Sequence, residues 1–567
     1  MPPRESPISP QVILRVAYIG VAAVIILGII FFRLWYLQVL ASDDNLAQAR
    51  TNRLREELIP APRGEILDRD RNEIVKNRLS TIVVLSPTSL TRDYRSAISK
   101  WGVAEDKRLQ LNEANKSKRP RPPRILQAPL PPVPPKTAAI EQKLATVLGM
   151  KASAINRRVV ESIIQIPYGD VQIKTDVPDY ERDYILERQA EFPAVSVQQR
   201  YLRDYPDKSL AAQIVGTVGE ISPTQLKYKH FEGLKPGARV GQEGLEYTYD
   251  NFLRGTDGKS RVEVSAFGDR KGVSSTVEPK VGRSLRTTLS VKLQRAGESA
   301  IKHIGGGKPG AFVAMNPTNG EIYAMGSYPT YDPRILTKPI SIERYRRIFS
   351  KKAGAPRFNR AIGGVYPTAS TFKPITALAG LATHVIDAST IVDDPGCIQL
   401  GEGKANRRCN AGSKPHGPVN VSTALQVSSN VFFFDLGANK LNSLPGQPLQ
   451  KWARDLGYGK RTGVDLPAES EGIVPDAAWR DRVNDKELAC RREEHRKSCG
   501  YGDGEGRPWS PGDEANLATG QGDLNASPIQ VAVSYAALAN GGTVVRPHLG
   551  LDVLNEQGEL EQRITSG

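Results

Sequence analysis

The sequence predicts an α+β protein: an N-terminal membrane-crossing helix followed by soluble regions that mix helix and strand patterns. Three observations carry that prediction. Residues 16–32 are uncharged and almost wholly apolar, residues 138–282 mix helical and strand patterns, and from Arg286 strands and helices alternate to the end. With 567 residues and 39% hydrophobic content, the chain can fill at least one large core and two or three folded units. A disordered protein is excluded.

The apolar run from Val16 to Phe32 is bounded by Arg15 and Arg33 and resumes through Leu34, Trp35, Tyr36, Leu37, Val39 and Leu40. With both arginines snorkelling, residues 12–40 are long enough to cross a bilayer. A cleavable signal peptide is disfavoured, because no Ala-x-Ala site closes the run and Trp35 and Tyr36 sit where interfacial aromatics belong. A buried core helix would need a polar face, which the run lacks. Arg4 and Arg15 precede the span while Arg33, Arg50 and Arg53 follow it, so basic residues do not set its orientation. One span that carries a very large C-terminal region implies a short cytoplasmic tail (1–11), a single-pass location in the cell membrane, and a bulk outside the cytoplasm.

The net charge of +16 suits an anionic partner such as nucleic acid, a membrane surface or an acidic polymer. No zinc finger, basic coiled coil or RNA-binding aromatic signature accompanies it, so the reading has no nucleic acid partner. Four cysteines fit an oxidising compartment: Cys397 with Cys409, and Cys490 with Cys499, each pair closing a short polar loop. Two alternatives stay open, a metal site from Cys397, Cys409, His416 and Asp393 or Asp394, and four reduced structural thiols. The metal spacing matches no standard zinc knuckle, and no metal or cofactor is assigned.

Along the chain, Arg63 to Glu73 reads as a turn-rich hinge before a strand around Thr81–Leu85. Residues 115–136, rich in Lys, Arg and Pro, cannot pack a core and read as an extended spacer. Leu245, Tyr249 and Phe252 fall at helical spacing in a helix ended by Gly255. Thr287 to Leu293 leads into an amphipathic helix through Ile301. Residues 310–325 read as two buried strands joined by a Pro-x-Asn-Gly turn, and Gln530–Asn540 as a helix closed by Gly541 and Gly542.

The chemistry lies at Ser370 and Lys373, within Gly363 to Pro374. A hydroxyl and an amine three positions apart share one helix face, so the lysine can take the serine's proton without a histidine. The pattern alone is weak, since Ser299 and Lys302 repeat it inside an amphipathic helix that reads as surface. Ser370 differs in its approach: Gly363, Gly364 and Pro367 supply turn chemistry, and Pro374 is tolerated only in a first helical turn. Ser370 therefore sits near a helix N-terminus, where orphan N–H groups can bind an oxyanion. The residue before a proline disfavours helical geometry, so Lys373 is expected in a distorted turn. Ser428-Ser429-Asn430, 58 residues after Ser370, is the only Ser-x-Asn in the chain. It can present Ser428 and Asn430 to a cleft, and its plainer reading is a helix cap.

Ser-x-x-Lys followed by Ser-x-Asn resembles two thirds of the penicilloyl serine transferase signature. Further blocks resemble the class B penicillin-binding proteins of the elongation type: the anchor ending in Arg33-Leu34, the Arg63-Gly64-x-Ile66-x-Asp68-Arg69 hinge, Gly241–Gly258, Thr287-Thr288-Leu289, Tyr366-Pro367, Asp465–Glu469, Gly520-Gln521-Gly522 with Pro528, and Tyr535–Gly542. The resemblance implies an elongated non-catalytic pedestal or dimerisation domain at 41–284. It also implies a transpeptidase domain at 285–567 with a helical subdomain and a mixed sheet. By the resemblance, Ser370 attacks the penultimate D-alanine of a peptidoglycan stem peptide, Lys373 is the base, and Ser428 and Asn430 relay the proton and hold the substrate amide. β-Lactams would acylate the same serine, and a separate glycosyltransferase and elongation-complex proteins would be partners. The family's third element, Lys-Thr-Gly on a cleft strand, is not found. Lys460 to Gly463 lies in an upstream loop block, and Thr565-Ser566-Gly567 has the wrong first residue. The expectation is therefore a chain that stops before that strand and is weakly active at best; the rival readings are a non-catalytic scaffold and a β-lactam sensor.

Overall fold

The N-terminal apolar run forms one helix, Pro10–Trp35, in a computed structural model that describes residues 10–36, 54–87, 90–114, 126, 128–167, 169–264, 270–403, 406–494, 497–501 and 506–564. Leu37, Val39 and Leu40, residues 115–125 of the proline-rich stretch, and Thr565–Gly567 lie outside the described residues. The chain divides into two compact units. In the first, Ala17–Trp35 is long and apolar enough to cross a membrane. Its Tyr18, Ile19, Val24, Phe31 and Phe32 are all exposed, so the buried-core alternative is set aside. The same unit holds a three-stranded antiparallel sheet in which β8 (Gly258–Val264) pairs with β1 (Leu54–Ile59) and β9 (Arg270–Val277).

The second unit is built on a seven-stranded sheet. Its path runs β18 (Leu560–Arg563), β17 (Gly550–Leu554), β10 (Ser284–Thr287), β2 (Ile66–Leu67), β3 (Glu73–Leu85) and β4 (Val171–Thr175), with β5 (Val195–Asp204) also on β3. The boundary expected at 284/285 falls inside β10, which pairs in parallel with β2 and antiparallel with β17. The strand expected around Thr81–Leu85 is the buried end of β3, whose Val83 and Leu85 pack with Ile98, Leu144, Ile155 and Val159 from three helices.

Two family-like blocks far apart in sequence meet at a buried ion cluster. Arg63 Nη2 lies 2.9 Å from both Glu246 Oε2 and Asp250 Oδ1, and Arg203 Nε lies 2.7 Å from Glu246 Oε1. Next to Arg63, Gly64 packs so closely that an added Cβ would sit 1.8 Å from the Arg283 carbonyl oxygen. The single helix expected through Leu245, Tyr249 and Phe252 is instead two, Gly244–Thr248 and Asp250–Leu253. Tyr249 turns its hydroxyl to Asp465, whereas Asp250 turns to Arg63 and the Gly241 N–H. Polar contacts from successive residues in different directions override the helical period.

In the C-terminal part, β11 (Gly310–Met315) and β12 (Ile322–Tyr328) form the expected antiparallel pair, joined through Gly320 at φ 81°. β11 is half-buried, not buried as expected. The helix Val291–Ile304 packs on β12, with the buried Gln294 side chain bonded to the Met325 backbone in both directions. Ser299 and Lys302 are exposed on that helix, as expected for the second copy of the motif. The late helix spans Pro528–Ala539 and is opened by a reciprocal Ser527–Gln530 capping box. A second core, including Phe372, Ile375, Phe432, Phe433, Leu449 and Leu517, belongs to a mainly helical region. Disulfides join Cys397 to Cys409 and Cys490 to Cys499. With both sulfurs of the first pair bonded to each other, neither the metal set nor the reduced-thiol reading is formed there.

Candidate active site

Ser370 lies in a 3₁₀ turn, Ala369–Phe372, that runs directly into the helix Lys373–Ala382. The tight turn has a chemical cause. Pro374 has no N–H to give the Ser370 carbonyl, and the Lys373 N–H bonds that oxygen instead, one residue earlier than an α-helix would. Lys373 itself is helical (φ −54°, ψ −37°), so the distortion expected at Lys373 falls on the preceding turn. Ala369 takes a left-handed φ of 48°, held by a 2.7 Å bond from its N–H to the Gly520 carbonyl. Gly520 has φ 72°, and a Cβ there would come within 2.0 Å of the Ala369 oxygen, so the Gly520-Gln521-Gly522 block abuts the turn that holds Ser370.

The Ser428-Ser429-Asn430 turn faces this helix. The Ser370 and Ser428 hydroxyls are 3.1 Å apart. Lys373 Nζ lies 3.0 Å from Ser428 Oγ, 2.8 Å from the Ser428 carbonyl oxygen and 2.7 Å from Asn430 Oδ1. All four residues expected at the site are thus brought together, with one refinement. The Ser428 hydroxyl bridges Ser370 and Lys373. Ser370 and Ser428 are exposed while Lys373 is 1% exposed, with its ammonium 5.5 Å from the Phe433 ring centre.

Burial lowers the Lys373 amine from its ordinary 10.5 to about 8, against an opposing pull from the Asp394 carboxylate. Three oxygens around Nζ match the three donors of the ammonium, and the neutral amine can keep two of them. The Ser428 carbonyl and Asn430 Oδ1 only accept, so they take its two hydrogens and leave the lone pair for the Ser428 hydroxyl. Ser428 can then accept from Ser370, which gives a two-step proton path from the Ser370 hydroxyl to the Lys373 amine.

The helix-cap reading also holds, for the middle residue. Ser429 is the N-cap of the helix Asn430–Asp435, its hydroxyl accepting from the Phe432 N–H. Sequence reasoning missed Asp394 and Asn410 as groups beneath the motif; Asp394 had entered only as an alternative metal ligand. The Lys460–Gly463 segment is a loop in which Thr462 and Gly463 donate to Glu469, consistent with its rejection as the cleft strand.

The profile of the penicillin-binding protein dimerisation domain matches residues 58–287, and that of the penicillin binding protein transpeptidase domain matches residues 310–564. The peptidoglycan D,D-transpeptidase MrdA of Acinetobacter baumannii is 31% identical over 379 residues, covering 67% of this chain and 52% of that protein. MrdA of Escherichia coli is 30% identical over 390 residues, covering 67% of this chain and 56% of its own length. The chain thus spans little more than half the length of these relatives. A solved complex of penicillin-binding protein PBP2 with MreC from Helicobacter pylori shares the fold, with a TM-score of 0.64, 22% identity and coverage of 90% of this chain and 82% of that one. With dimerisation and transpeptidase profiles in the same order and Ser370, Lys373, Ser428 and Asn430 in one constellation, the chain belongs to the class B penicillin-binding proteins of the elongation, PBP2 type.

Proposed function

We propose that this chain is a membrane-anchored peptidoglycan D,D-transpeptidase that cross-links stem peptides through an acyl-serine intermediate during wall elongation. The observation that carries the reading is the buried Lys373 joined to Ser370 through Ser428. Ser370 Oγ attacks the carbonyl carbon of the penultimate D-alanine as its proton passes through Ser428 to the Lys373 amine. The lysine then returns a proton to the departing D-alanine nitrogen as the C–N bond breaks. An amine of a neighbouring stem attacks the ester, its proton leaves by the same path, and Ser370 regains its hydroxyl proton. The Ser370 N–H, in the first turn, supplies one donor to the oxyanion. In a β-lactam the same attack opens the ring, and the nitrogen stays attached.

In this reading the anchor is 12–40, the pedestal 41–284 and the transpeptidase domain 285–567. The reading is of a single-pass protein of the cell membrane with its bulk outside the cytoplasm; a helix long and apolar enough to cross a membrane and two disulfides, at home in an oxidising compartment, support it. Glycan polymerisation falls to a separate glycosyltransferase, and elongation-complex proteins are further partners. The test is release of D-alanine from a stem pentapeptide ending in D-Ala-D-Ala. The chain is expected to release it and Ser370→Ala is not; equal release by both refutes the reading.

A further inference from the structure

We propose that Asn410, anchored on the buried Asp394 carboxylate, is a positioning residue that fixes Asn430 against Lys373; this rests on the acyl-transfer reading of the site.

Asp394 ends β13 (Val392–Asp394) and is fully buried. Among the described residues no cation lies within ion-pair distance of it. A buried carboxylate without a counter-ion is costly unless donors surround it. Here they do. Oδ1 accepts from the Gly396 N–H at 2.9 Å, Oδ2 from the Ser429 hydroxyl at 2.6 Å, and the Asn410 amide reaches both oxygens at 2.8 and 2.9 Å. The Asn410 amide also reaches the Lys414 carbonyl at 2.8 Å.

The other end of Asn410 faces the active site. Its Oδ1 accepts from the Asn430 N–H at 2.7 Å and the Val431 N–H at 3.1 Å, while Ser429 Oγ accepts from the Phe432 N–H at 3.1 Å. The first three N–H groups of the helix Asn430–Asp435, which have no partner within the helix, are all taken by side chains tied to Asp394. The Asn430 side chain is held from the same place, since its amide reaches the carbonyl of Cys409, the residue before Asn410, at 3.4 Å. Cys409 ends β15 (Arg407–Cys409) and is cross-linked to its register partner Cys397 on β14 (Cys397–Gln399).

This arrangement accounts for a strained feature of the site. Ser428 has a left-handed φ of 57°, which a non-glycine residue holds only when its surroundings over-determine it. The residues after it are fixed through Ser429 and Asn410 to one buried carboxylate, and Asn430 Oδ1 arrives 2.7 Å from Lys373 Nζ as a result.

A double-mutant cycle on acylation by a fluorescent penicillin tests this in the full chain purified in detergent. Asn410→Ala and Asn430→Ala are each expected to slow acylation by about 10- to 100-fold, the scale of a small misplacement of reacting groups. The double variant is expected to be no slower than Asn430→Ala alone, because Asn410 acts through Asn430. If the Asn410→Ala loss persists in full in the Asn430→Ala background, or folded Asn410→Ala acylates at the parent rate, the proposal is overturned. Asp394→Asn keeps the side-chain volume and serves in the same cycle should Asn410→Ala not fold. If the parent chain itself is not acylated, the transpeptidase reading fails separately. A crystal structure of Asn410→Ala then decides the positioning claim, which is overturned if Asn430 stays 2.7 Å from Lys373.

Discussion

Replacing Lys373 with alanine is expected to slow acylation of Ser370 by about 10²- to 10⁴-fold, the range for loss of a positioned general base. Lys373 is the amine that the Ser428 hydroxyl links to Ser370, and it is buried where its charge is disfavoured. Lys373→Arg separates a base from a mere positive charge. A guanidinium does not deprotonate in proteins, so the arginine variant is expected to be as slow as the alanine one. The pH dependence has a definite sign. The reactive form is the neutral amine, and burial brings the lysine down to about 8, so the acylation rate should rise about tenfold per pH unit below that value and level off above it. A rate that falls above pH 8 would mean that the ammonium is the working form. Stopped-flow acylation between pH 6 and 10 distinguishes the two.

Glu246→Ala is expected to destabilise the second unit by about 3–5 kcal/mol, the usual result of removing one partner of a buried ion pair. Glu246 is fully buried and bonds both Arg63 and Arg203, which are themselves 8% and 5% exposed. The substitution leaves Arg203 without its carboxylate and Arg63 with Asp250 alone. Burial by itself would raise the Glu246 carboxyl; Arg203 and Arg63 outweigh it and hold it below the usual carboxylate range. Because the folded value is depressed, this contribution is present above the unfolded carboxylate pKa near 4.3 and lost as pH falls through the folded value. Urea midpoints at pH 7 for the parent and Glu246→Ala check the prediction, and a shift below about 1 kcal/mol would contradict it.

The helix start at Ser370 was legible because its cause is local. Proline chemistry around Ser370 sets a helix start, and the same Pro374 that marks that start in sequence produces the 3₁₀ turn in the structure. Ser428 and Asn430 were legible as a pair, but Ser428's place between Ser370 and Lys373 was not, because it depends on how two helices meet across 58 residues of chain. Asp394 and Asn410 had no signal beyond a short polar loop beside a cysteine; buried hydrogen-bond networks follow no hydrophobic period. The local cysteine pairing rested on short spacing alone, since four cysteines allow three connectivities. The hairpin that sets Cys397 opposite Cys409 is a matter of strand register. The boundary implied at 284/285 lies beside the change of sequence texture at Arg286, whereas β10 is a central strand bonded to segments from both sides of it.

The most direct test of the central claim is peptide mass mapping of the chain after incubation with benzylpenicillin. A single penicilloyl adduct on the peptide containing Ser370, absent from Ser370→Ala and formed much more slowly by Lys373→Ala, is the predicted result. An adduct on any other residue, or one formed equally by Ser370→Ala, would contradict the assignment of Ser370 as the acylated nucleophile.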